Sequence, residues 1–466
     1  MRAFQCLLAL CFAFLWTAPA VAAEPAQASR YDFVAHPCTS EDPLPGAICG
    51  SVAVPENYAK PSGRTIELNV VLFRATEMNS EKAAQFDLEG GPGFAVTESA
   101  GFYATDGVAY HEHRDVVLVD MRGTGASNPL RCPSIEARTR TEPAAAFYPP
   151  DLVEDCARSL ATSADLTQYG TASASRDLDA VRAALGYERV DLNALSYGTT
   201  LALRYIADYP DRVRSAVLTG TVPADQTPPA HHAIAAERGL KLLFDACAAD
   251  KSCAAQYPHL HDDLETTIEQ LGQERSAIFL EKVRTQMYLP VTARAVPKIV
   301  HDAARGNVEF LTKPGAGRVF ADGLYLAITC SESIARMDVD AAIAESDATP
   351  FSAYRLRRQR DACAHWPMAP ADPDLFRRGT YNVPVLFLSG ALDPVTPPAW
   401  TAEVAKMFPK GRQIVFPEGG HVLEGLSGLD TCMDAMILKF VATLSASEVD
   451  TACVAGMSRG GFVLAD

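Results

Sequence analysis

Past its first two dozen residues, the 466-residue chain has no apolar run approaching the roughly 20 residues that a membrane-spanning helix needs. The mature chain is therefore expected to be soluble. Basic residues are the minority, 41 Lys and Arg against 57 Asp and Glu, for a net charge of -16. No basic stripe interrupts that balance, which argues against nucleic acid as a partner. Internal repeats and low-complexity tracts are missing, so neither a solenoid nor a disordered linker is expected. No Cys-x-x-Cys pair or His–Cys cluster has the spacing of a zinc site, and neither metal nor cofactor is expected. The acidic excess is expected to keep the protein dispersed. Its alternative use is a negative mouth that draws in cationic groups such as free amino termini.

What is present begins with an export leader. Arg2 supplies a positive start, Ala3 to Trp16 is almost wholly apolar, and Ala18, Ala20, Ala22 and Ala23 precede Glu24. An apolar stretch of about 14 residues is short for a bilayer span but suits a signal peptide, here over 1–23. Twelve cysteines occur, and loss of Cys6 and Cys11 with the leader leaves an even set. These fall as neighbours: Cys38 and Cys49, Cys132 and Cys156, Cys247 and Cys253, Cys330 and Cys363, Cys432 and Cys453. Neighbour pairing would make five local disulfides, which need an oxidising compartment; a bacterial periplasm or the extracellular space is expected. Spacing alone leaves the connectivity open, with buried free thiols as the alternative.

Strand and helix patterns then alternate. Ile66 to Phe73, Gln85 to Leu88, Val116 to Val119, Val190 to Asn193 and Val213 to Thr219 read as strands. Leu178, Val181, Arg182 and Leu185 recur at helical spacing, and Thr199 to Asp208 reads as a second helix. From about Ala224 to Arg378 helical periodicity dominates (233–248, 260–271, 296–304), with loop punctuation at Pro228-Pro229 and Lys313-Pro314-Gly315. Strand character returns at Val383 to Leu388 and Gln413 to Phe416. The pattern predicts an α/β protein: a mainly parallel sheet flanked by helices, its core in two parts (24–223 and 379–466) around an inserted, mostly helical cap over 224–378.

The chemistry concentrates at strand ends. Ala194-Leu195-Ser196-Tyr197-Gly198 follows a strand and precedes a helix, with small residues two before and two after Ser196. That is the requirement of a nucleophile elbow, which lifts a hydroxyl to the sheet edge in an α/β-hydrolase. A serine hydroxyl needs a base to take its proton, and the base needs an acid to hold one tautomer. Asp393 and His421 follow the last two strands, in the chain order Ser, Asp, His that this fold requires. Backbone N–H groups of Tyr197 and of Gly91, in Gly90-Gly91-Pro92-Gly93, are the expected oxyanion donors. Asp120 and Arg122, in Asp120-Met121-Arg122-Gly123-Thr124-Gly125-Ala126-Ser127, are expected to brace their loop.

Gly90-Gly91-Pro92-Gly93, Asp120-x-Arg122-Gly123-x-Gly125-x-Ser127, Ser196-Tyr197-Gly198 and Asp393-Pro394-Val395-Thr396-Pro397 together resemble the proline iminopeptidase and tripeptidyl aminopeptidase family. The secreted tripeptidyl aminopeptidase-like branch, with its leader, helical cap, disulfides and Cys-bearing carboxyl-terminal region, is the best match. The resemblance runs from about Cys38 to the end. It implies serine-dependent release of one residue or a tripeptide from the free amino terminus of peptides. It also implies an acidic residue near the cap that holds the substrate amine, with Glu332 as the candidate. Two positions depart from the family pattern: Glu89 stands where many relatives carry His, and Phe94 where a further Gly is common. A carboxylesterase on the same fold is the alternative activity, since one triad serves both.

Overall fold

The computed structural model describes residues 31–38, 43–77, 83–223, 226–313, 319–370, 372–375 and 377–465. The expected leader over 1–23, the expected first cap residue Ala224 and the Pro314-Gly315 punctuation lie outside them. Nine strands form one sheet: β1 (Phe33–Ala35), β2 (Ala47–Pro55), β3 (Thr65–Phe73), β4 (Ala83–Leu88), β5 (Asp115–Val119), β6 (Arg189–Leu195), β7 (Val213–Thr219), β8 (Val385–Gly390) and β9 (Gly411–Phe416). Their spatial order is β1-β2-β3-β5-β4-β6-β7-β8-β9. The β1–β2, β2–β3 and β3–β5 pairs are antiparallel, and every later pair is parallel.

Parallel strands buried on both faces read as near-continuous apolar runs, which is why Val116 to Val119 and Val385 to Leu388 were recognisable. On one face Leu192, Ala194 and Phe387 pack under the helices Thr171–Ala184 and Tyr197–Asp208, through Leu178, Val181 and Leu201. On the other, Val217, Leu386 and Leu388 meet Met436, Ile437 and Phe440 of the helix Leu429–Thr443. Each such side chain contributes about 1.5–3 kcal/mol on full burial.

Registers Leu88↔Ala194, Leu195↔Thr219, Thr219↔Leu388 and Gly390↔Phe416 align the carboxyl ends of five parallel strands at one edge. The loops that carry Gly90, Ser196, Asp393 and His421 all leave from that edge. Between β7 and β8 the chain is mainly helical, with a core of its own around Leu240, Phe244, Phe279, Val283 and Val300. The helix expected over 260–271 ends where Gly272 turns with φ 69, and a second helical stretch runs on to Gln286. Residues 130–169 also contribute to this layer: Leu130, Tyr148 and Tyr169 share a cluster with Leu324, Tyr325 and Trp366.

All ten remaining cysteines pair with their sequence neighbours, from Cys38–Cys49 to Cys432–Cys453. No helix among the described residues is long and apolar enough to cross a membrane. Arg122 and Asp120 are fully buried braces, as expected. Arg122 holds Asp177 with two bonds of 2.6 Å and reaches the carbonyls of Glu56 and Gln168. Asp120 accepts from Asn69 and Thr97.

Candidate active site

Ser196 sits where β6 turns into the helix Tyr197–Asp208, with φ 55 and ψ -122. A non-glycine residue in such a conformation costs about 1–3 kcal/mol and persists only where its surroundings fix it. Ser196 N–H donates to the Thr219 carbonyl at 2.9 Å, and the Ser196 carbonyl accepts from the N–H and hydroxyl of Thr199 at 2.8 and 2.6 Å. A Cβ on Gly198 would lie 2.2 Å from the Leu88 carbonyl oxygen, so only glycine fits there. Ala194, where glycine is commoner, buries its methyl in the core with 3% exposure.

The structure brings Ser196, His421 and Asp393 into one hydrogen-bonded row. His421 Nε2 is 2.9 Å from Ser196 Oγ, across 225 residues of sequence, and His421 Nδ1 is 2.9 Å from Asp393 Oδ2. A carboxylate facing Nδ1 fixes the proton there, so Nε2 turns its lone pair to the serine hydroxyl. Asp393 is completely buried and is anchored by its own loop. It accepts from the N–H groups of Val395 and Thr396 at 2.7 and 2.8 Å, and from the Thr396 hydroxyl at 2.7 Å. Thr396 Oγ1 also lies 3.2 Å from His421 Nδ1. Thr396 belongs to a motif noticed in the sequence, yet nothing in the pattern marked it as the clamp on both partners.

Tyr197 begins its helix, so its N–H has no intrahelical acceptor and lies at the positive end of the helix dipole. Opposite, the Gly90–Gly93 turn closes on Ser196: a Cβ at Gly90 would fall 3.0 Å from Ser196 Cβ. Gly91 has φ 114, and a Cβ there would come within 3.2 Å of the Phe320 ring. Glu89 folds its carboxylate onto the N–H of Gly90 at 3.0 Å, and Phe94 meets Phe320 with ring centroids 4.9 Å apart. Both departures from the family pattern thus shape the turn beside Ser196.

Glu332 is not a solvated surface residue. Its carboxylate accepts from the Thr171 N–H at 2.7 Å and the Thr171 hydroxyl at 2.6 Å, and Thr171 Oγ1 lies 2.7 Å from the Tyr197 hydroxyl. Burial pushes the Glu332 carboxyl up to about 7. Glu332 is therefore tied, through Thr171, to Tyr197, the residue that follows Ser196.

A cavity of about 1050 Å³ opens beside this edge, at the upper end of ordinary small-molecule sites. Phe94 and Phe320 line it next to the glycine turn. At its inner wall Arg284 donates to the Tyr288 hydroxyl at 2.7 Å, and the Tyr288 ring stands edge-on to His421 with centroids 5.0 Å apart. Eight basic and six acidic side chains line the cavity, so the chain's acidic excess is not gathered at this mouth. Asp322 is among them; burial pushes it up to about 7, and it accepts from the Tyr148 hydroxyl at 2.8 Å.

Residues 88–249 match the alpha/beta hydrolase fold family, and 348–453 match a family described as TAP-like protein. Serine protease Hip1 of Mycobacterium tuberculosis is 26% identical over 87% of this chain and 88% of its own. Tripeptidyl aminopeptidase of Streptomyces coelicolor is 26% identical over 92% of this chain and 87% of its own. Carboxylesterase B of Mycobacterium tuberculosis is 26% identical, covering 91% and 88%.

Proposed function

Because the chain is a tripeptidyl aminopeptidase-like member of the α/β-hydrolases, we propose that it is an exported serine peptidase acting at the free amino terminus of peptides. The observation that carries this reading is the row of two 2.9 Å contacts joining Asp393, His421 and Ser196. Ser196 attacks the peptide carbonyl as His421 takes its proton. Asp393 holds the imidazole and stabilises the imidazolium that forms. The N–H groups of Gly91 and Tyr197 receive the oxyanion. His421 then protonates the leaving amine, which leaves the residue or tripeptide as an ester on Ser196, and water activated by the same imidazole hydrolyses that ester to the free acid.

Glu332 is the proposed partner of the substrate amine, offering lone pairs beside those that Thr171 uses; Asp322 is a separate carboxyl on the cavity wall. The helical stretch over 224–378 acts as the cap, on a core formed by 24–223 and 379–466. Five disulfides support an oxidising destination, the bacterial periplasm or the extracellular space, reached through the leader over 1–23.

The test compares aminoacyl and tripeptidyl arylamides, amine free or acetylated, with a short-chain aryl ester. Turnover of free-amine arylamides that acetylation abolishes is the expected result. Turnover of the ester with no dependence on a free amine would assign the protein to the carboxylesterases instead.

A further inference from the structure

On the cavity wall that approaches His421 through Tyr288, two guanidinium groups share one carboxylate. Arg284 and Arg355 have side chains only 2% and 17% exposed. Glu281 accepts from Arg284 at 2.9 Å and from Arg355 at 3.4 Å. Beyond that carboxylate, Arg284 reaches the Tyr288 hydroxyl at 2.7 Å and Arg355 the Tyr325 hydroxyl at 2.8 Å, neither of them a second carboxylate. The Nε of Arg355 is buried with no partner among the described residues. Its guanidinium rests over the Phe147 ring, 4.7 Å from the centroid. His232, buried nearby, is held well below the usual histidine range by burial and then by these two arginines. A second positive charge with one shared counter-ion is costly away from water, and an arriving carboxylate would offset that cost.

We infer that Arg284 and Arg355 form a specificity pocket for a substrate carboxylate, so that the enzyme prefers peptides with Asp or Glu among the residues inside the cavity. This rests on the peptidase reading above. A carboxyl lies across two aromatic rings: Tyr325, bonded to Arg355, stacks on Tyr148 at 5.7 Å and 29°, and Tyr148 bonds Asp322. A guanidinium pair and a carboxyl thus flank one tyrosine pair. They complement a peptide end that carries an ammonium and an acidic side chain.

Aminoacyl and tripeptidyl arylamides with Glu, Gln or Lys at each position test this on the unaltered enzyme. At one position Glu is expected to exceed Gln by roughly tenfold in kcat/KM, the scale of one hydrogen bond to a charged group, with Lys below Gln. Arg355→Gln should bring the Glu-to-Gln ratio at that position near one, and Glu281→Gln, which frees both guanidiniums, should raise it. Equal turnover of Glu and Gln at every position, or a ratio that survives Arg355→Gln, overturns the inference while leaving the peptidase intact. Turnover of aryl esters alone removes the peptidase reading and this inference with it.

Discussion

Asp393, fully buried, and Arg355, its side chain 17% exposed, are satisfied to opposite degrees. Asp393 receives Val395, Thr396 and His421, mostly from within three residues of itself, and keeps one orientation. Arg355 takes part of one distant carboxylate and a tyrosine hydroxyl, and its Nε is left unused among the described residues. Groups that must hold a single geometry are saturated by their own loop. Groups that meet something arriving from outside keep bonding capacity in reserve.

Three experiments probe that contrast. Ser196→Ala is the most severe: kcat should fall by about 10⁵-fold or more with the thermal midpoint preserved, as expected when the nucleophile of a cooperating triad is lost. A variant that keeps wild-type turnover would remove the row from the mechanism. On the saturated side, Asp393→Asn should cost about 10⁴-fold in kcat through loss of the correct tautomer. Thr396→Val, which deletes one donor to Asp393, should cost only about tenfold in kcat, with KM little changed and Thr396→Ser restoring activity. Equal losses for the two would mean that Thr396 does more than orient its neighbours.

The smallest effect concerns Glu332. Its carboxyl stands near 7 in the folded chain against an ordinary value near 4.5. The folded state therefore keeps a proton that the unfolded chain has lost, and this group's contribution to stability falls as pH rises from about 4.5 to about 7. Glu332→Gln should raise the thermal midpoint at pH 8 by a few degrees and leave it unchanged at pH 4. A shift of the same size at both values would mean that burial does not perturb this carboxyl.

Features set by short stretches were legible in the sequence. Val213–Thr219 is a mostly buried strand that ends at turn residues, and its limits match the expected ones. The small residues around Ser196, the cysteine neighbours and the strand-end positions of Asp393 and His421 likewise have local signatures. β2 has no clear strand signature in the sequence, because Cys49, Gly50 and Ser51 break its alternation and its pairing with β3 supplies what they lack. Helix Tyr354–Cys363 was missed because its many arginines hide the buried face formed by Leu356, Gln359 and Ala362. The Arg284–Glu281 pair, three residues apart, could be read from a helical wheel. Its junction with Arg355, 74 residues from Glu281, could not.

Tyr288 links the proposed base to the covering helices. Its carbonyl accepts from the N–H of Val422 at 2.9 Å, its ring stands edge-on to His421, and it lies just past Met287, the cap of the helix Leu260–Gln286. A cover hinged to swing away would drag the imidazole out of line each time it lifted. Tyr288 therefore ties the setting of the proposed base to the packing of the helical layer beside it.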